Sequence, residues 1–134
     1  MNAFAWILKT EPSTYGWDDL VKEGDAIWDG VRNYRARNFL KEMRLSQKVL
    51  IYHSGKKREI VGIAEVIEEA FKDQTDETGK FVAVKVKALK RLKNPVSLEK
   101  IKGIDPMQES LLLKQSRLSV IPVSLEQFNS LIQV

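Results

Sequence analysis

The sequence predicts an α+β fold, a small mixed barrel of about five or six strands flanked by short helices. Three observations point to it. The 134 residues suffice for one domain (1–134) with one core, burying roughly two-thirds of the surface that the unfolded chain exposes. Short runs rich in β-branched and aromatic residues outnumber the stretches with helical spacing. Glycine and proline stand singly between these runs as turn punctuation, with no internal repeat, low-complexity tract or linker.

Taken in order, Phe4 to Lys9 (FAWILK) is an apolar run stopped by Glu11-Pro12, and its length favours a buried strand over a helix. Ser13 to Glu23 reads as a turn leading into a short helix (WDDLVKE) closed by Gly24, with Asp18 and Asp19 suited to the positive helix start. Asp29-Gly30 marks a tight turn after Trp28. Asn33 to Arg44 is the clearest helix: Ala36, Phe39, Leu40 and Met43 fall at i, i+3, i+4 and i+7, while Asn33, Arg37, Lys41 and Arg44 share the other side.

Lys48 to Ser54 and Glu59 to Ile67 read as strands of a hairpin whose tip, Gly55-Lys56-Lys57-Arg58, is cationic. Gly62 inside the second strand signals a bulge or a close backbone approach. Lys72 to Lys80 is a polar loop. Phe81 to Leu92 alternates, with Val82, Val84, Val86 and Ala88 inward and Lys85 and Lys87 outward, and is expected to offer an open sheet edge. The tail mixes short helical pieces (SLEKIK and about Met107 to Lys114) with a strand at Leu118 to Val123. It finishes in SLEQFNSLI, where Ser124 and Gln127 stand at capping-box positions.

With no cysteine, disulfides, thiolate nucleophiles and Cys-ligated metal sites are excluded, and a reducing, cytoplasmic location is the expectation. No stretch approaches the ~20 apolar residues of a membrane span, so neither secretion nor membrane insertion is expected. Charge is local. Of the formal +4, the segment Arg32 to Arg58 contributes nine Lys and Arg against Glu42 alone, and the remaining residues carry 13 basic and 17 acidic side chains. Such a cluster is a footprint for a polyanion; the plainer reading is a solvated basic surface.

Trp6, Trp17, Trp28, Tyr34 and Tyr52 interleave with or precede these cations, the composition a nucleic-acid binder needs for base stacking. Trp6 sits mid-strand and reads as core. Trp28 precedes a turn, a position where function gathers. Gly30-Val31-Arg32-Asn33 enters the basic helix, where free N–H groups together with Arg32 and Arg37 suit an anion. Lys9-Thr10-Glu11 and Tyr52-His53-Ser54 end two strands, bringing polar groups towards one barrel mouth. For Lys9 and Glu11 the plainer reading is an ion pair, and for His53, the only histidine, a structural hydrogen bond. His53 and Ser54, being adjacent on a strand, point to opposite faces and form no nucleophile–base pair. No acidic cluster has metal-ligand spacing and no phosphate loop is present, so neither metal nor other cofactor is expected.

WILKTEP (Trp6 to Pro12), WDGVRNYRARNFLKEM (Trp28 to Met43), YHS (Tyr52 to Ser54), IVGIAEV (Ile60 to Val66) and RLSVIPV (Arg117 to Val123) together resemble the EVE domain family over nearly the whole chain. The resemblance implies a PUA-like fold, a small twisted β-barrel flanked by helices. It further implies a non-enzymatic reader that takes a modified base of DNA or RNA, single-stranded or flipped, into a pocket. By motif position Trp28 would wall that pocket, with Lys9, Thr10 and Glu11 on one strand and Tyr52, His53 and Ser54 on a facing one. Asn33 and Tyr34 would complete the rim, and Arg32, Arg37 and Asn38 would face flanking phosphates. Thr10 stands where the family commonly has Ser, keeping the hydroxyl, and the hairpin GKKRE is compact. Two alternatives stand beside the reader: a small PUA-like hydrolase of the ASCH type using Lys9 and Glu11, and a protein-interaction module.

Overall fold

The computed structural model describes residues 3–133. In chain order they form β1 (Ala5–Thr10), α1 (Trp17–Glu23), β2 (Asp25–Trp28), α2 (Tyr34–Glu42), β3 (Lys48–His53), β4 (Glu59–Lys72) and β5 (Val82–Ser97). There follow α3 (Leu98–Lys102), a 3-10 turn (Asp105–Glu109), α4 (Leu111–Lys114), β6 (Val120–Val123) and α5 (Leu125–Ile132). The strands make one six-stranded mixed sheet in the order β2-β5-β4-β3-β1-β6, with β1 and β3 parallel and the other pairs antiparallel. The sheet does not close by hydrogen bonds, since β2 and β6 remain its edges. Repeated register shifts along β4 and β5 bend it, and α2 packs against strands from both halves, β5 and β6.

The continuous apolar run of β1 follows from its place. Ala5, Trp6, Ile7 and Leu8 are all fully buried, as a strand covered on both faces requires. Trp6 is core, its Nε1–H donating to Gln47 Oε1 at 2.8 Å. On α2 the stripe lands as patterned, with Ala36, Leu40 and Met43 buried and Phe39 half-buried. Asn33 is the N-cap, its side chain accepting from the Ala36 N–H. Ser124 and Gln127 make the reciprocal capping box of α5.

Gly62 carries both expected features. The β4 register shifts beside it against β3 and β5, and a Cβ there would lie 2.6 Å from the ring of Trp17. The α1 indole therefore packs flat against bare backbone, which lets a helix approach a sheet more closely than a side chain would permit.

One strand escaped the pattern and it reverses an expectation. DAIW is four residues with no helical or strong alternating signal, yet it pairs with β5 from Asp25↔Lys87 to Trp28↔Val84. From Val84 to Lys87, β5 is consequently interior, with β2 on one side and β4 on the other; the open edge expected of it is covered over those residues. No helix among the described residues is long and apolar enough to cross a membrane.

Candidate base pocket and its basic rim

A cavity of about 870 Å³ opens where the end of β1, the following turn, β2 and the segment entering α2 meet. Each wall has a local cause. After Pro12 the chain turns back through N–H groups of Thr14 and Tyr15 donated to the Glu11 carbonyl. This brings Tyr15 against Trp28, ring centroids 5.9 Å apart and planes at 83°. Gly30 takes φ +81°, a conformation open to glycine, and the chain then runs through Val31 into α2. Trp28 is half-buried, one part packed on the core and the rest facing the cavity.

Lys9, Thr10, Glu11, Trp28, Arg32 and Asn33 all line this cavity. Lys9 Nζ donates to the Ser116 carbonyl at 2.9 Å, and burial, then the nearby Arg58, hold its pKa below the ordinary lysine value. Thr10 Oγ1 donates to the Tyr15 carbonyl. Glu11 accepts from the N–H and hydroxyl of Ser13, bonds that lower its pKa. Lys9 and Glu11 thus form no pair with each other, because each is taken by a different loop. Asn33 uses Oδ1 for the helix cap, leaving its amide N–H₂ to donate. Glu23, Asp25 and Asp29 add acidic groups to the lining, so the walls hold acceptors as well as cations.

The structure does not bring Tyr52, His53 and Ser54 to this cavity. β1 and β3 are parallel with Lys9 opposite Tyr52 and Thr10 opposite His53, so side chains leave alternately to the two faces. Tyr52, buried, lies under Lys9 on one face, with Nζ 5.7 Å from its ring centroid, and lines a second cavity with Ser54. His53 faces α1, where its Nε2 accepts the Trp17 backbone N–H at 3.0 Å. Burial is the main cause that lowers the His53 pKa, and a neutral Nε2 is what the acceptor role needs. The structural hydrogen bond is therefore the role seen for His53.

Tyr34 is exposed outside the cavity, stacked on Phe81 at 5.0 Å and covered by Arg37 at 4.9 Å. Arg37 is half-buried, donating to Asn38 Oδ1 and to the Lys80 carbonyl, while Lys41 on the same helix and Arg44 just past its end lie open. Arg32 is less free than its position suggested. Its Nη1 pairs with Asp73 at 3.0 Å and its Nη2 donates to Thr75.

Tyr15 and Asp73 are the pieces that sequence reasoning missed. Burial, then the hydrogen bond to Glu23, raises the Tyr15 pKa, so the phenol stays neutral and keeps its proton to donate to Glu23. Asp73 is fully covered and accepts from Gly30 N–H, Arg32, and the N–H and hydroxyl of Thr75. Burial by itself would raise its carboxyl; the Thr75, Gly30 and Arg32 hydrogen bonds together bring it down to about 2. The signal was present twice, as Asp73-Gln74-Thr75 and Asp76-Glu77-Thr78, since an Asp two residues before a Thr is a turn-forming Asx pattern. Among the described residues no group of three or more His, Cys, Asp or Glu is arranged to hold a metal ion.

Comparison with known proteins agrees with this architecture. Thymocyte nuclear protein 1 of Gallus gallus is 31% identical over 92% of this chain, which spans 65% of that protein's length. Among solved structures, Rpa0253 from Rhodopseudomonas palustris is 44% identical with a TM-score of 0.90, covering 96% of this chain and 90% of that one. The structure of human THYN1 in complex with 5-methylcytosine-containing DNA is 28% identical with a TM-score of 0.91, covering 96% of this chain and 95% of that one. The model of the EVE domain matches residues 5–134, and the chain belongs to the EVE domain family.

Proposed function

We propose that this protein is a non-enzymatic reader of a modified base in DNA or RNA, the heterocycle entering the Trp28 cavity while the cations of α2 and the rim meet the flanking phosphates. The observation that carries the reading is Trp28 itself, half-buried beside an open cavity and braced edge-on by Tyr15. A stacked aromatic returns about 1–3 kcal/mol per base. The mixed lining supports a base and not a phosphate inside, because carboxylates accept from exocyclic amines and repel phosphate oxygens. The 5-methylcytosine-containing DNA bound by human THYN1 supports a nucleic-acid partner and a modified pyrimidine as the first ligand to try.

Energetics favour single-stranded or already unpaired positions, since flipping a paired base costs a few kcal/mol. One extra buried methyl adds only ~0.8 kcal/mol, about fourfold in affinity. The reader is favoured over the hydrolase alternative because Lys9 and Glu11 do not pair with each other but bond to Ser116 and Ser13. The test is binding of wild type and Trp28→Ala to matched oligonucleotides with and without 5-methylcytosine, single-stranded and duplex. The reading expects Trp28→Ala to abolish the preference; equal losses on both oligonucleotides would overturn the pocket.

A further inference from the structure

Behind Lys9 lies a second cavity, of about 380 Å³, formed by the end of β3, the hairpin tip and the helical tail. Its polar lining is all of one kind. Lys9 and Arg58 contribute cations and Tyr52 and Ser54 contribute hydroxyls, while Leu98 and Leu112 supply an apolar wall; no carboxylate lines it.

Much of this donor capacity is unspent. Lys9 gives one N–H to the Ser116 carbonyl and has two more. Arg58 gives Nε–H to the Gly55 carbonyl, and its two terminal nitrogens have no hydrogen-bond partner among the described residues. The Tyr52 and Ser54 hydroxyls have no hydrogen-bond partner among the described residues. Glu11 lies near Gly55 but bonds to Ser13 and does not line the cavity. Two like charges thus face one hollow whose own lining holds no carboxylate, an arrangement that an anion relieves. A fork of N–H donors with hydroxyls beside it matches the oxygens of a phosphate.

We propose that this second cavity is an anion site that takes a phosphate group, distinct from the base cavity and separated from it by the Lys9 side chain. The phosphate comes either from a free ion or from the backbone of a bound strand; the chemistry of recognition is the same. Tyr52, Ser54 and Arg58 do not line the Trp28 cavity, so the two sites share Lys9 alone.

The test is amide chemical-shift titration of the full chain with two probes, inorganic phosphate and a short unmodified single-stranded oligonucleotide. Inorganic phosphate is expected to move the amides of Ser54, Gly55 and Ser116 while leaving Gly30 and Asn33 in place. Arg58→Ala is expected to weaken the response about tenfold, the loss of one charge-assisted contact. Tyr52→Phe, which keeps the buried ring, weakens it less. A response to the oligonucleotide alone, still lost in Arg58→Ala, supports the site and names the strand as its source. No movement of these amides with either probe, or a response unchanged in Arg58→Ala, overturns the proposal. Trp28→Ala separates the two cavities: it removes base preference and leaves the inorganic phosphate response intact.

Discussion

Trp28 and Tyr15 meet edge to face, 5.9 Å apart at 83°, although one ends a strand and the other sits in a turn thirteen residues earlier. Such a contact is worth about 0.5–1.5 kcal/mol beyond the area it buries. Tyr15→Ala is expected to free the indole and weaken base binding by about three- to tenfold at that energy, with little change in the salt dependence. Tyr15→Phe keeps the ring contact, loses the Glu23 partner and should fall much nearer to wild type. Fluorescence titration of modified oligonucleotides distinguishes the two.

Arg37→Ala acts on a different quantity. Because Arg37 covers Tyr34 outside the cavity, its loss is expected to weaken binding to all strands alike, modified or not. Affinity measured at several salt concentrations should show the slope of log K against log salt flattened by about 0.7 for single strands, one phosphate contact. A selective loss on modified strands would place Arg37 in base reading instead.

Gly62→Ala tests the close approach of α1 to the sheet. The added methyl meets the Trp17 ring at 2.6 Å, and Trp17 is almost fully buried, so the ring has nowhere to swing. Destabilisation of about 1–3 kcal/mol is expected from overpacking, read by chemical denaturation. Gly24→Ala makes a useful contrast, since nothing lies within 4 Å of a Cβ there and only its φ of +85° opposes it.

His53 links stability to pH. Its folded pKa is lowered from 6.5, mainly by burial, so the unfolded chain binds its proton first as the pH drops. Stability is therefore complete above about 6.5 and declines as pH falls from there through the folded value. His53→Gln retains an acceptor for the Trp17 N–H without titrating, and the decline in melting temperature over that range should disappear.

Asp73→Asn removes the charge that holds Arg32 while keeping the shape of the turn. A cost of roughly 1–3 kcal/mol is expected for weakening a buried, fully bonded carboxylate, visible in thermal melts. With its carboxyl held at about 2, the wild-type contribution is present above the ordinary value of 3.8 and is lost as pH falls through about 2. The variant should lack that acid loss.

Periodicity and turn chemistry carried most of the fold. The stripe on α2, the capping box at Ser124 and the crowding at Gly62 are local signals, and the structure honours each. β2 was not readable because DAIW is too short to show a period, and its alternating burial appears only once it pairs with β5. That same pairing decides which side of β5 is open, a non-local fact. The site divides in the same way. Trp28, Lys9, Thr10, Glu11, Arg32 and Asn33 converge on one hollow, whereas Tyr52 and Ser54 go to another and His53 to the α1 backbone. Strand alternation could say that His53 and Ser54 diverge, but which face each reaches depends on the parallel register of β1 with β3, and no sequence pattern fixes it. Asp73, 41 residues beyond Arg32, lay in a loop whose Asx turns were visible and whose destination was not.

The order of strands has a consequence for how the molecule is made. β1 is made before both of its sheet neighbours, β3 and, at Val120–Val123, β6. Its Ala5–Leu8 edge therefore waits, apolar and unprotected, through the synthesis of more than a hundred intervening residues, as exposed strand edges do at the risk of pairing with another chain. A nascent chain halted before Val120 should be sticky, and one allowed to pass it should become soluble in a single step.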